Sequence, residues 1–295
     1  QFMPNFLSDN DKFKRDLVKQ IEGKMPDIET KVLDEVFRVL DSINSAGGRF
    51  DVATLSNEQF LNFVNAIRRG LTSGGYQQQV QVLIADYGKI TINSSNLLKN
   101  IGGFDVPPLQ LSQVEQKWKQ VTSESLLNSG IRTDFETPIL RILDESISYG
   151  GSIERAKKNL TDFIKGNPDK SGKLQSYTTQ IARDSIGQLQ GQQFHSVASA
   201  VDTAGVRYIG SLLEDSRGQC TRWVKDLNGF IAWDELSKEI KLAYDNQAAK
   251  KVDNYGGKAH PWGGMMPNTT KDNFMAKRGG FNCRHTAIPV KQKPK

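Results

Sequence analysis

The side chains richest in chemistry crowd into the last third of this 295-residue chain. Cys220 and Cys283 are its two cysteines, and His260 and His285 are two of its three histidines. Together they make a Cys2His2 set, which suits tetrahedral zinc. Only Cys283-Arg284-His285 is a close pair, and its single intervening residue is tighter than the spacing common in zinc sites. The same residues allow two other arrangements. Cys220 and Cys283 can be bridged, clipping a loop of about 60 residues and contributing roughly 2–4 kcal/mol. They can also be two buried thiols beside hydrogen-bonded imidazoles. Two cysteines in a chain of this length do not make a disulfide scaffold.

Catalytic arrangements use these side chains differently. A cysteine beside a histidine is a nucleophile and its base, and Cys283 and His285 point to the same face if they lie in a strand. A nuclease would use His260 and His285 as acid and base, with Arg284 holding the phosphate. No nucleophile turn and no paired-carboxylate metal site accompanies them. Gly256-Gly257 and Gly263-Gly264 flank His260-Pro261-Trp262 without following a strand and opening a helix, so they are not a dinucleotide loop. No organic cofactor is expected. Zinc on Cys220, His260, Cys283 and His285 is the one cofactor these residues permit.

Charge is uneven. The net charge is +6, and residues 206–295 hold 16 Lys and Arg against nine Asp and Glu, whereas the remainder is close to neutral. Lys277, Arg278, Lys291, Lys293 and Lys295 are the candidate DNA contacts. Binding through such residues is independent of sequence and sensitive to salt. No apolar run approaches the roughly 20 residues that span a bilayer, so no membrane partner is expected. The segment Gln1–Phe6 has neither the basic region nor the apolar core of a signal peptide.

The elements that must position these residues are mainly helical. Val32, Leu33, Val36, Phe37, Leu40 and Ile43 recur at three- and four-residue steps, the signature of one helical face. Ser56-x-x-Gln59 and Ser112-x-x-Glu115 have capping-box spacing. Further helices are expected near 76–87, 134–148 and 152–165. A long one follows from Lys173 to about Ala204, weakened in its middle by Gly187 and Gly191. After Gly205 the texture changes. Val206–Leu213 reads as a strand, Trp233–Lys250 as a helix, 253–281 as an irregular loop, and Thr286–Val290 as a terminal strand that Pro289 places at an edge. The expected architecture is mainly α: a multi-helix body over 1–172, a connecting helix over 173–205, and a small α+β domain with a basic tail over 206–295.

The order of motifs in the carboxyl-terminal part resembles a known family. A helix with Gln180-Ile181-Ala182-Arg183-Asp184-Ser185 precedes Ala204-Gly205-Val206 and the aromatic strand Arg207-Tyr208-Ile209-Gly210. Asp215-Ser216-Arg217-Gly218-Gln219-Cys220 and Leu227-Asn228-Gly229 follow, and the chain closes on Asn282-Cys283-Arg284-His285-Thr286. This order is similar to the Mu F-like head morphogenesis family, the minor head proteins of tailed phages, over roughly residues 174–290. Four positions depart. Arg183-Asp184-Ser185 shifts the acidic residue of the helix motif, Trp223 replaces the second cysteine of the first pair, His285 replaces the last cysteine, and Gly280-Phe281 stands in place of the His-Pro before Cys-Arg, with His260-Pro261 upstream of an insertion containing Gly263-Gly264.

The resemblance implies a structural role rather than turnover, with no enzymatic activity. It implies a few copies at the portal vertex of the virion head, assembled in the host cytoplasm, and a part in head assembly and in DNA packaging or delivery. The implied partners are the portal protein, the major capsid protein and packaged DNA. Arg183, Asp215, Arg217, Cys220, Cys283, Arg284 and His285 then become residues that close the domain. The alternative is a nucleic-acid-processing enzyme that uses His260, His285 and Arg284.

Overall fold

The computed structural model describes residues 4–43, 45–50, 55–214, 216–280, 283 and 285–293. Among the expected site residues, Asp215, Arg284 and Lys295 lie outside them. The chain is mainly α, with a small α+β carboxyl-terminal part. Its helices are α1 (Pro4–Glu22), α2 (Met25–Asp41), α3 (Asn57–Ser73), α4 (Tyr76–Ala85), α5 (Tyr87–Leu97), α6 (Ser112–Leu127), α7 (Ser129–Ile131), α8 (Thr137–Ser148), α9 (Ile153–Ile164) and α10 (Lys173–Ala200). The carboxyl-terminal part adds α11 (Gly218–Thr221), α12 (Leu236–Ala248) and α13 (Phe274–Lys277). Among the described residues no helix is long and apolar enough to cross a membrane.

The chain divides into two compact units, one of residues 1–14, 86–119 and 183–295, the other of residues 15–85 and 120–182. This division does not follow the boundary expected at 172/173. The core around the carboxyl-terminal sheet takes Leu97, Leu98, Phe104 and Leu111 from earlier in the chain and Phe194 from α10, so these segments belong with it.

In the second unit, α2 packs on α3 and α9, and α3 also meets α8. Two short antiparallel pairs, β1 (Ser45–Ala46) with β2 (Arg49–Phe50) and β3 (Gly166–Asn167) with β4 (Lys170–Ser171), also belong to it. The stripe seen in the sequence is the buried face: Val32, Leu33, Val36 and Leu40 all point inward. The first capping box forms as its spacing predicts. The Gln59 backbone N–H donates to Ser56 Oγ at 3.2 Å, and the Ser56 N–H donates to Gln59 Oε1 at 2.9 Å. Close approach of α2 and α3 depends on Gly70. A Cβ there would run into the Cα of Val32 and lie 2.9 Å from the Lys31 carbonyl oxygen. Glu29, buried on α2, accepts the Gln175 backbone N–H at 3.1 Å near the start of α10. Burial pushes its carboxyl up to about 7, although this hydrogen bond and Lys165 act the other way.

In the first unit, a three-stranded antiparallel sheet has the order β6 (Phe230–Ala232), β5 (Gly205–Ile209), β9 (Thr286–Val290). Val206 pairs with Ile231 on one side and with Pro289 on the other. Pro289 therefore stands on an edge strand, as expected, where its missing N–H costs no ladder bond. Two expectations are corrected here. Ser112 and Glu115 form no capping box: the Ser112 hydroxyl donates to the Leu109 carbonyl, and Glu115 accepts from the Thr91 hydroxyl at 2.7 Å and pairs with Lys119. The segment 253–281 is not simply irregular, because β7 (Val252–Tyr255) and β8 (Lys258–Pro261) form a hairpin. Its turn is Gly256-Gly257, with φ of 60° and 78°, the positive values that a two-residue hairpin turn demands.

Two outcomes follow for the second unit. Gly70→Ala forces α2 and α3 apart and lowers stability by about 1–3 kcal/mol, read as a shifted urea midpoint. Glu29 has a folded-state pKa above its unfolded value, so the folded chain holds the extra proton between about 4.5 and 7. Stability from this group is present below that window and is lost as pH rises through it. Relative to wild type, Glu29→Gln gains roughly 1–2 kcal/mol between pH 4.5 and 8, measured by urea denaturation across that range.

Candidate functional site

The chemically rich residues meet at the sheet of the first unit. Tyr208, on the central strand β5, is 1% exposed, and its hydroxyl lies 3.3 Å from Cys220 Sγ and 3.2 Å from Cys283 Sγ. Cys220 comes from α11, and Cys283 and His285 lead into β9. His285 lays its ring against that of Tyr208, with centroids 5.0 Å apart and planes 16° apart, and its Nδ1 lies 3.8 Å from Cys283 Sγ. The expected pairing of the two closing motifs is therefore present in space: Cys220, Cys283 and His285 hold their ligand-type atoms within 4.8 Å of one another. Both cysteines are free thiols.

Local sequence explains the convergence. Gly279 has no side chain because none fits: a Cβ there would lie 2.5 Å from Tyr208 Oη, 2.6 Å from Cys220 Sγ and 3.1 Å from Cys283 Sγ. The Gly279 carbonyl accepts from Arg217 Nη1 at 2.9 Å and from Gln219 Nε2 at 3.1 Å, which ties α11 to the segment leading into β9. Gln219 is fully buried and also donates to the Gly263 carbonyl at 2.7 Å. Behind the cluster, Trp223 meets Tyr208 and Phe274 edge-on at 5.0 and 5.2 Å. Its Nε1 donates to Glu239, which Arg222 holds with two hydrogen bonds of 2.9 and 2.7 Å.

The two thiols differ electrostatically. The hydrogen bond from Cys220 favours the Cys283 thiolate; burial opposes it, and His285 and Arg278 reinforce it, so Cys283 sits well below the usual thiol range. Sharing that bond and being buried push Cys220 well above the range. Burial likewise pushes the Tyr208 phenol well up, so it stays protonated and able to donate. Lys14 is a second cation in this environment. It donates to Gln190 Oε1 at 3.3 Å and to Thr286 Oγ1 at 3.2 Å and pairs with Asp11, and burial lowers its pKa.

Other expected residues fall elsewhere. His260 is not part of the cluster. It lies on β8, 6% exposed, with Nδ1 2.6 Å from the Ser216 carbonyl oxygen and its ring edge-on to Tyr255. The four-residue Cys2His2 set is thus reduced to three, because the β7–β8 hairpin carries His260 to its own carbonyl partner. Arg183 is exposed on α10. Arg278 is no surface contact for DNA: it is 6% exposed and donates to the His285 carbonyl at 3.3 Å, and its guanidinium takes the space that a side chain at Gly187 would need. Lys277 Nζ donates to the Pro267 and Asn268 carbonyls at 2.5 and 2.9 Å. Lys291 and Lys293 are exposed, with Lys291 over the Phe104 ring.

Tyr208, Gln219 and Lys14 were not foreseen as site residues. Tyr208 and Gln219 lie inside the motifs that carry the family resemblance, but their types alone suggest a core aromatic and a surface amide. Nothing near Lys14 in the sequence distinguishes it from other helix lysines.

A Cβ at position 279 must displace Tyr208 or a sulfur. Gly279→Ala lowers stability by about 1–3 kcal/mol and speeds alkylation of Cys283 by thiol reagents. Gly263→Ala, where an added Cβ meets nothing within 4 Å, leaves both unchanged. Comparison with known protein families, with curated proteins and with solved structures finds no match to this chain.

Proposed function

We propose that this chain is a non-enzymatic minor head protein of a tailed phage, residing at the portal vertex of the virion head. Its role is structural, in head assembly and in packaging or delivery of DNA. The motif order of residues 174–290 supports this family reading. One observation supports a structural role over catalysis: three of the side chains with catalytic potential are turned inward and used for packing, and the fourth, Cys283, is half-buried against Tyr208. Cys220, His260 and His285 are 3%, 6% and 4% exposed, and Cys220 and His285 pack on Tyr208, whereas His260 bonds a backbone carbonyl. A cavity of about 510 Å³ does open beside β7, lined by residues including Arg222, Asp226, Lys251 and Trp262, but neither His260 nor His285 lines it.

The partners of this role are the portal protein and the major capsid protein. Packaged DNA meets the exposed Lys291 and Lys293 through its phosphates, without sequence preference. Affinity capture of the tagged chain from phage-infected cells is expected to recover portal or major capsid protein, and the purified chain is expected to leave DNA and RNA intact. Recovery of neither partner removes the virion role. Cleavage of DNA or RNA that disappears in His285→Ala replaces it with the nuclease.

A further inference from the structure

We infer that Cys220, Cys283 and His285 form a structural zinc site that locks α11 to the segment entering β9. This goes beyond the virion role and does not depend on it.

The donor set is the first argument. Two thiolates and an imidazole are the ligands that a borderline-soft divalent ion such as Zn²⁺ prefers. Two thiolates also cancel the charge of that ion, so a site of this composition adds no net charge to a buried region.

The distances are the second argument. With Zn–S near 2.3 Å and Zn–N near 2.0 Å, neighbouring ligand atoms of a tetrahedral ion stand roughly 3.5–3.8 Å apart. Cys283 Sγ and His285 Nδ1 are 3.8 Å apart, and the full set lies within 4.8 Å. A separation of 3.8 Å is too long for a good N–H to sulfur hydrogen bond but suits two ligands of one ion.

Closure is the third argument. Cys220 and His285 are nearly fully buried and Cys283 is half-buried, and the Tyr208 hydroxyl stands 3.2 and 3.3 Å from the sulfurs. Three protein donors leave the fourth tetrahedral position to a small ligand such as water, and the burial of Cys220 and His285 leaves little room there for anything larger. The other nitrogen, His285 Nε2, is buried with no hydrogen-bond partner among the described residues. The ring is therefore held by the Tyr208 face and by what its Nδ1 meets.

The test uses the full-length chain, reduced, stripped of metal and free of any histidine tag. Titration with ZnCl₂ is expected to end at one equivalent and to slow alkylation of both thiols at least about tenfold. Co²⁺ in place of zinc should give thiolate charge-transfer absorption and the intense visible bands of a tetrahedral ion. Cys220→Ser should weaken zinc binding at least about tenfold, while His260→Ala should keep the full equivalent. The wild-type protection assay carries the test if Cys220→Ser does not fold. Substoichiometric zinc with unchanged alkylation rates overturns the site. So does loss of zinc in a folded His260→Ala, and so does conversion of the two thiols to a disulfide in the presence of excess zinc.

Discussion

One hydroxyl organises the sheet-containing unit. Tyr208 projects from the central strand β5, and its oxygen has two sulfurs as partners, each from a different segment. Sulfur is a weak hydrogen-bond partner, so these bonds alone do not fix the geometry. Packing must do so, and it comes from three aromatic contacts on the same ring: His285 stacked, Trp223 edge-on and Phe274 tilted. The phenol has one hydrogen to give to two sulfurs. The asymmetry of the thiols matches that limit. Cys220 keeps its proton and offers it, and Cys283 yields its own first, under the pull of Cys220, His285 and Arg278.

Convergence of this density requires backbone to approach side chains closely, and glycine is the only residue that allows it. Gly279 lies against Tyr208 and both sulfurs. Gly187 makes room on α10 for the Arg278 guanidinium, and Gly191 makes room for the backbone of Met275 and Ala276 in α13. In the sequence these two helix glycines read only as weak points. In the structure they are the seats on which the segment preceding β9 rests. Arg278 sits at φ 49°, a region that disfavours any residue but glycine, and its strain is balanced by burial of its side chain against α10.

What was legible in the sequence was whatever depends on near neighbours along the chain. The α2 stripe, the Ser56–Gln59 capping box and the edge position of Pro289 each follow from spacing within a few residues. The failures share a different physical origin. Ser112 and Glu115 had the right spacing for a capping box, but Thr91 and Lys119 offered Glu115 better partners in a buried setting. His260 looked equivalent to His285 until the Gly256-Gly257 turn set it on a hairpin facing Ser216. Arg278 looked like part of a basic tail, yet the gap at Gly187, some 90 residues earlier, draws it inside. Tyr208 carried no signal of its own, because its role exists only once Cys220 and Cys283 stand on either side of its hydroxyl.

Trp223 and His285 close this domain by packing. Trp223 is fully buried, with its indole N–H on Glu239. A side chain of that size contributes both apolar area and an anchored hydrogen bond. His285 turns a ring nitrogen toward Cys283 and stacks its ring on Tyr208. Cys220 Sγ, Cys283 Sγ and His285 Nδ1 are thereby gathered at the Tyr208 ring. Three such atoms keep their geometry only if the walls around them do, and Trp223, Phe274 and the Tyr208 ring supply those walls.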